Sequence, residues 1–140
     1  MGPLPAISDL QAQDGDVVTY LSARTDKTGI IYTGVTSGRA YEVYATGTWS
    51  QDATDDKYLC GPGGNPPGGI GTISDAGAAF HGFYYGMFAI KEPGVSTWVS
   101  ANSYYVIRAT AAGNLLGSFA DLTGLWGDNG GYMTVLVRPL

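Results

Sequence analysis

The sequence has a single cysteine and a single histidine in 140 residues. One cysteine excludes an intramolecular disulfide and a cysteine-based zinc site. No acid–base partner for Cys60 is apparent, and His81 lies in an apolar run, so we interpret Cys60 as a buried small hydrophobe rather than a nucleophile. The chain also lacks an apolar run long enough to span a membrane, and residues 1–15 lack the basic start and apolar stretch of a signal peptide. We therefore expect no membrane insertion and no ordinary export signal.

Charge of either sign is scarce, at 14% of the chain. The chain has 12 acidic and 7 basic residues, which gives a formal net charge of −5. Without a basic stripe to neutralise phosphates, the chain does not have the composition of a nucleic-acid binder. The same balance argues against docking on anionic lipid. Cations are the natural partners of any acidic cluster in such a chain.

Glycine is abundant, with 22 residues, alongside 10 tyrosines and 44% hydrophobic residues. This composition is typical of many short strands joined by tight turns, and no segment shows sustained helical periodicity with caps. We predict an all-β fold, a sandwich or barrel whose edges are closed or protected. The predicted strands cover residues 17–21, 29–33, 40–49, 80–90, 97–99, 104–110, 115–120 and 132–138.

The chain divides into a short arm and one domain. Residues 1–16 are polar with early prolines, and we interpret them as an N-terminal arm or linker. Residues 17–140 form the single β-sandwich domain. Within it, residues 50–79 form a long irregular stretch that contains the tract CGPGGNPPGG. Loops of this length are usually functional or disordered, and the sequence leaves both alternatives open.

The segment FADLTGLWGDNGGYMTV, residues 119–135, carries the clearest chemistry. It places Asp121, Asp128 and Asn129 in one glycine-rich turn before the last strand. Ca²⁺ prefers carboxylate, amide and backbone carbonyl oxygens, and glycine lets the backbone aim carbonyls at one point. The segment does not match EF-hand spacing, and Asp-Asn-Gly is also common in ordinary hairpin loops. A calcium site and a plain turn both remain open from the residues alone.

The stretch GNLLGSFADLTGLWGDNGGYMTVLV, residues 113–137, resembles the C-terminal signature of the PA-IL-like family of bacterial galactose-binding lectins. Weaker similarity extends to TGIIYTGVTSGRAYEVYATG, residues 28–47, and to GMFAIK, residues 86–91. The resemblance implies a jelly-roll-like β-sandwich of two antiparallel sheets. It also implies one Ca²⁺ per subunit, with vicinal sugar hydroxyls completing the coordination shell of the ion.

The resemblance assigns site residues position by position. The implied metal ligands are the side chains of Asp121, Asp128 and Asn129 with the backbone carbonyls of Leu125 and Gln51. The implied sugar contacts are Asp121, Asp128 and Asn129, with the Leu122 and Leu125 backbones nearby. The chain departs from the family pattern in having Ala120 before Asp121 where the family has asparagine, and Asp128 where the family has the first asparagine of a pair.

A second sugar-contacting loop of the family carries a histidine and a glutamine. Here the corresponding region is GGNPPGG, where Asn65 alone offers a side-chain hydrogen bond, and His81 lies too far along the chain to replace the histidine. Aromatic rings pack well on sugar C–H faces, so Trp126 in the turn is a candidate ligand contact. Trp49 is a second candidate, with a core or interface position as the alternative for both. Trp98 is interpreted as core.

The sequence therefore predicts a calcium-dependent, galactose-type carbohydrate-binding module without catalysis. Shallow sites of this kind are weak singly, so we expect a homo-oligomer or part of a larger multivalent assembly. The alternative is a structural or assembly β-sandwich of a phage tail or surface appendage that keeps a calcium staple but no sugar site. A glycosidase that uses Asp121 and Asp128 is the weakest interpretation. The cellular location stays open, although a glycan ligand fits an extracellular or surface position.

Overall fold

A computed structural model describes residues 13–69, 71–75, 77–122 and 125–140. Most of the predicted N-terminal arm lies outside the described residues. Within them there is no α-helix, and no helix has the length and apolarity needed to cross a membrane. The strands are β1 (Val17–Ser22), β2 (Gly29–Val35), β3 (Ala40–Ser50), β4 (Leu59–Cys60), β5 (Phe88–Lys91), β6 (Val99–Ser100), β7 (Tyr104–Arg108), β8 (Gly113–Phe119) and β9 (Gly130–Pro139).

These strands form two antiparallel sheets. In the five-stranded sheet the order is β1-β9-β3-β4, and β7 also pairs with β3. In the four-stranded sheet the order is β2-β8-β5-β6. The β3–β9 ladder is the longest, running from Tyr41 opposite Pro139 to Ser50 opposite Gly130. The predicted all-β sandwich of two antiparallel sheets is confirmed.

The core lies between the two sheets and is rich in aromatic rings. Alternate residues of β3 point inward, among them Tyr41 and Trp49, both fully buried. The Trp49 ring packs edge-on against Phe119 of the opposite sheet, with centroids 4.9 Å apart. Its indole N–H donates to the Gly86 carbonyl at 2.7 Å. Trp49 is therefore a core residue, in agreement with the alternative interpretation of it and not with a sugar contact.

The predicted strand over residues 80–90 is wrong for most of its length. Only Phe88–Lys91 forms β5, and residues 80–87 consist mainly of turns. Gly86 has a φ of 85°, and a Cβ there would lie 2.5 Å from the Cys60 Sγ. Positive φ interrupts a strand, so the apolar run FHGFYYG folds back on itself although its composition favours a strand.

The described part of the stretch 50–79 is more ordered than its composition indicates. A 3-10 turn at Asp56–Tyr58 is capped by the Asp55 side chain, which accepts from the Lys57 N–H. It leads into the two-residue strand β4, which the sequence analysis missed and which pairs with Trp49 and Ser50. Cys60 on β4 is buried, as predicted, and burial raises the pKa of its thiol to about 11. A thiol of that pKa stays protonated at neutral pH, which agrees with a packing role.

An ion pair fastens the start of β1 to the end of β9. The Arg138 guanidinium donates to both oxygens of Asp16, at 3.0 Å from Nε and 2.8 Å from Nη2. The Asp16 side chain is 3% exposed and the Arg138 side chain 13%. The hydrogen bonds from Arg138 lower the pKa of Asp16 below its usual value, with burial opposing them. Bidentate geometry and burial make this pair stronger than an ordinary surface salt bridge.

We predict that Asp16→Asn lowers the free energy of unfolding by about 1–3 kcal/mol at neutral pH, the usual range for a hydrogen bond to a charged group. Because the folded-state pKa of Asp16 is depressed, its contribution is present above the unfolded pKa of about 3.9 and is lost as pH falls through the folded value. Urea unfolding of the wild type and the variant at pH 7 and near pH 2–3 measures the loss of stability and its dependence on pH. An equal difference between wild type and variant at the two pH values would contradict this account.

Candidate functional site

The predicted calcium turn joins the two sheets at one end of the sandwich. Ala120, which follows β8, donates its N–H to the Met87 carbonyl and accepts from the Gly86 N–H, both at 3.0 Å. These bonds fix the position of Asp121 at the end of the four-stranded sheet. Asn129 directly precedes β9 in the five-stranded sheet. The turn thus brings an acid from one sheet against an amide from the other.

Asn129 is fully buried and its amide orientation is set by its neighbours. The Nδ2 group donates to the Ala23 carbonyl at 2.9 Å and to Asp121 Oδ2 at 3.0 Å. The opposite amide orientation would place an oxygen against these two acceptors, so Nδ2 must face them. The Asn129 Oδ1 is consequently buried with no hydrogen-bond partner. A buried acceptor without a donor costs free energy unless a cation or another ligand satisfies it.

Asp121 is a buried acid, 5% exposed. Its Oδ1 accepts the Leu122 N–H at 2.8 Å. Burial raises the pKa of Asp121 to about 6, although the hydrogen bonds from Asn129 and Leu122 lower it, and the Asp128 carboxylate raises it further. The guanidinium of Arg24 bonds to the backbone carbonyl of Asn129 at 2.7 Å. Its Nε hydrogen is therefore directed at a carbonyl rather than at the acid. Buried carboxylates are normally paired with cations or coordinate metals.

The segment that follows β3 lies beside this turn. Ser50 pairs with Gly130, and the Ala53 N–H donates to the Asp128 carbonyl at 2.9 Å. Gln51 lies between them, and its Oε1 is the second buried oxygen without a partner. The sequence analysis predicted that Gln51 contributes its backbone carbonyl and missed this side-chain oxygen. The antiparallel register, which the sequence does not specify, is what brings Gln51 to Asn129.

Three other predicted residues of the turn, Leu122, Leu125 and Asp128, are at least partly exposed. Asp128 and Leu125 are exposed, Leu125 by 51%, and Leu122 is half-buried. Thr123 and Gly124 lie outside the described residues. No three histidine, cysteine, aspartate or glutamate side chains converge anywhere in the described part of the chain. The arrangement therefore offers two carboxylates, and its other oxygens come from amides and the backbone.

Asn65 is exposed, and no hydrogen bond joins it to the described residues of the acidic turn. It has a φ of 58°, and its N–H donates to the Tyr85 carbonyl at 3.2 Å. Tyr85 is half-buried, and its hydroxyl pKa is raised by burial and then by the charges of Asp121 and Asp75. Tyr85 is therefore bonded to the Asn65 loop through its backbone, and its hydroxyl is within electrostatic range of Asp121. The sequence analysis missed it because the FYY run was assigned to a strand.

Trp126, a candidate ligand contact with a core or interface position as the alternative, is a core residue. The residue is 4% exposed, and its indole N–H donates to the Phe119 carbonyl at 2.9 Å. Its ring packs edge-on against Phe80, with centroids 6.4 Å apart. The apolar ring is more stable in the core than in water, and it anchors the turn against β8. A sugar cannot stack on a buried ring, so we leave Trp126 out of the proposed ligand contacts.

Comparisons with known proteins support the fold. No family model matches the chain, and no curated protein matches it. A solved structure described as "EclA N-terminal domain; PllA-like lectin" superposes with a TM-score of 0.66. The two sequences are 17% identical, and the match covers 89% of this chain and 96% of the other. At that identity the likeness shows a shared fold.

We predict that Trp126→Phe lowers the free energy of unfolding by about 1–3 kcal/mol, because the Phe119 carbonyl loses its buried donor while an aromatic ring remains. Urea unfolding of the variant and the wild type measures the loss. Trp98→Phe is the control, because Trp98 is only half-buried, and we expect it to lower the free energy of unfolding by less. Equal losses at the two positions would contradict an anchoring role for the Trp126 N–H.

Proposed function

We propose that the chain is a calcium-dependent carbohydrate-binding module of the galactose-binding type, without catalytic activity. The observation that carries this proposal is the unpartnered Oδ1 of Asn129, fully buried beside the buried Asp121 carboxylate. A protein that keeps an acceptor and an acid buried together without a cationic partner at the acid is strained by desolvation. A bound cation would relieve both costs at once.

The donor set fits calcium better than other common metals. Its atoms are carboxylate, amide and carbonyl oxygens, and Ca²⁺ accepts about six to eight oxygen ligands in flexible geometry. Zinc and copper sites normally include histidine or cysteine, and neither is present in this turn. The residues that would hold the ion are Asp121, Asp128 and Asn129 through their side chains, and Leu125 and Gln51 through their backbone carbonyls. The orphaned Gln51 side-chain oxygen is a further donor at this end.

The exposed rim of the turn supports sugar binding at the same place. Asp128 and Leu125 are exposed, so a ligand could reach the ion from outside while Asp121 and Asn129 hold it from inside. Vicinal hydroxyls supply the oxygens that such a half-open site lacks, and Asp128 can accept charge-assisted hydrogen bonds from them. The PA-IL-like signature of residues 113–137 favours galactose as the sugar, and the fold shared with a lectin favours a carbohydrate ligand.

The geometry gives little support to a glycosidase. Such an enzyme needs two carboxylates across a cleft, one of them free to donate or accept a proton. Asp121 is buried and both of its oxygens already accept hydrogen bonds, from Leu122 and Asn129. Asp128 belongs to the same short turn. These two acids are better suited to hold an ion than to act as acid and base.

We predict that calcium raises the Tm of the EDTA-treated chain, and that galactose raises it further only when calcium is present, because each ligand stabilises the folded state by mass action. Asp128→Ala should abolish both shifts while leaving the calcium-free Tm within about 1–2 °C of wild type, because Asp128 is exposed. Asp14→Ala, at an exposed aspartate near the opposite end of β9, is the matched control and should behave as wild type.

Other outcomes of the Tm measurement with calcium and galactose would favour a different function or reject the metal site. If calcium raises the Tm and no sugar of a wider panel does, the ion is a structural staple and the assembly-domain alternative replaces the lectin. If calcium has no effect, the metal site is wrong.

The proposed homo-oligomer is tested separately by light scattering after size exclusion, where a monomer at all concentrations would contradict it.

A further inference from the structure

We propose a second, calcium-independent saccharide site in a groove on the outer face of the five-stranded sheet. The groove has a volume of about 330 Å³, at the lower end of the range for small-molecule pockets. This site is separate from the calcium-dependent site proposed above. The two sites have in common only that the ligand is a carbohydrate. The residues that line it are Thr46, Gly47, Thr48, Gly131, Tyr132 and Thr134.

The groove lies on the outer face of the β3–β9 ladder, beside a part of β3 that has a described strand on one side only. On the side of β3 away from β9, β7 pairs with Ala40 to Tyr44, and β4 pairs with Trp49 and Ser50. Between these two ladders no described strand pairs with residues 46–48. At Gly131, where φ is 82°, a Cβ would lie 2.8 Å from the Thr48 carbonyl oxygen. Glycine at position 131 therefore lets β9 lie close to β3 at this end of the groove.

One wall of the groove is aromatic and rigid. Tyr132 is 55% exposed and Tyr20, on the neighbouring strand β1, is 70% exposed. Their rings meet edge to face, with centroids 5.7 Å apart and an interplanar angle of 87°. Met133 points into the core, so its neighbour Tyr132 points outward, toward the ligand side. A sugar C–H face packs favourably on such an exposed ring, and the edge contact limits the entropy lost on binding.

The other side chains that line the groove supply hydroxyls and no charge. Thr46 and Thr48 from β3 and Thr134 from β9 line the groove, and each hydroxyl can both donate and accept. No acidic or basic side chain is among the lining residues, which disfavours a phosphate, a metal ion or a charged peptide as the ligand. A ring that has one apolar face and several hydroxyls matches this lining. The ligand is accordingly a neutral saccharide.

The groove should work without the calcium turn although the two are close along the chain. Gly131 comes two residues after Asn129, but the groove lining contains no carboxylate or amide side chain that would hold an ion. Thr48 and Tyr132 face each other across the β3–β9 ladder on the solvent side, whereas Asn129 is buried. Removing calcium would leave the groove intact.

The test is a titration of the isotope-labelled chain, in EDTA, with lactose, maltose and cellobiose as probes, followed by amide chemical shifts. At least one probe should shift the amides of residues 46–48 and 131–134 while the turn amides stay unchanged. Thr134→Val, which keeps shape and strand propensity, should weaken that binding about 3- to 10-fold, the effect of one hydrogen bond. Tyr132→Ala should abolish saturable binding, and Thr33→Val, an exposed threonine on β2, should leave it unchanged.

The remaining outcomes overturn the proposal. No groove shifts with any of the three probes, or shifts that survive Tyr132→Ala, would show that the groove is not a saccharide site. Groove shifts that depend on protein concentration and not on sugar would mark the face as a contact between copies of the chain. The Asp128→Ala variant separates this proposal from the calcium site, because it should lose calcium-dependent binding and keep the groove shifts.

Discussion

The antiparallel pairing of β3 with β9 is the constraint on which the rest of the structure depends. Its register places Ser50 opposite Gly130, so the segment after β3 and the segment before β9 meet at one end of the sandwich. That meeting brings the backbone of Gln51 near that of Asn129, and each of the two residues has a buried side-chain oxygen without a hydrogen-bond partner. A one-residue slip would exchange the buried and exposed faces of both strands and dismantle the site and the core together. Fold and proposed function therefore rest on the same ladder.

The second feature on which the proposed site depends is a buried acid beside a buried acceptor that has no hydrogen-bond donor. Asp121 is buried with its pKa raised to about 6 by burial, while Asn129 donates both amide hydrogens and keeps an unused acceptor. A turn selected only for stability would satisfy these groups or expose them to water. Functional sites commonly retain such local costs, which the Trp126 anchor and the aromatic core offset here. We interpret the unsatisfied oxygens as the prepared half of an ion site.

Much of the fold was predictable from the sequence, because alternating residues in strands such as β3 and β9 report which face is buried. The acidic turn was also predictable as a unit, since Asp121, Asp128 and Asn129 are close along the chain. Three features were not. The turn at Gly86 depends on a positive φ inside an apolar run, and the burial of Trp126 depends on a carbonyl supplied by β8. The segment that contains Gln51 lies beside the turn only because of the strand register. Each arises from tertiary contacts that local propensity does not encode.

The central claim is that a cation satisfies Asn129 Oδ1 and Asp121 together. The most direct measurement is an anomalous difference map from crystals grown with calcium, collected at a wavelength where calcium scatters anomalously. We expect a single peak in coordination contact with Asn129 Oδ1 and the Asp121 carboxylate, near the Gln51 segment. A map without a peak at this place, with Asn129 Oδ1 bonded to a protein donor or an ordinary water, would contradict the account.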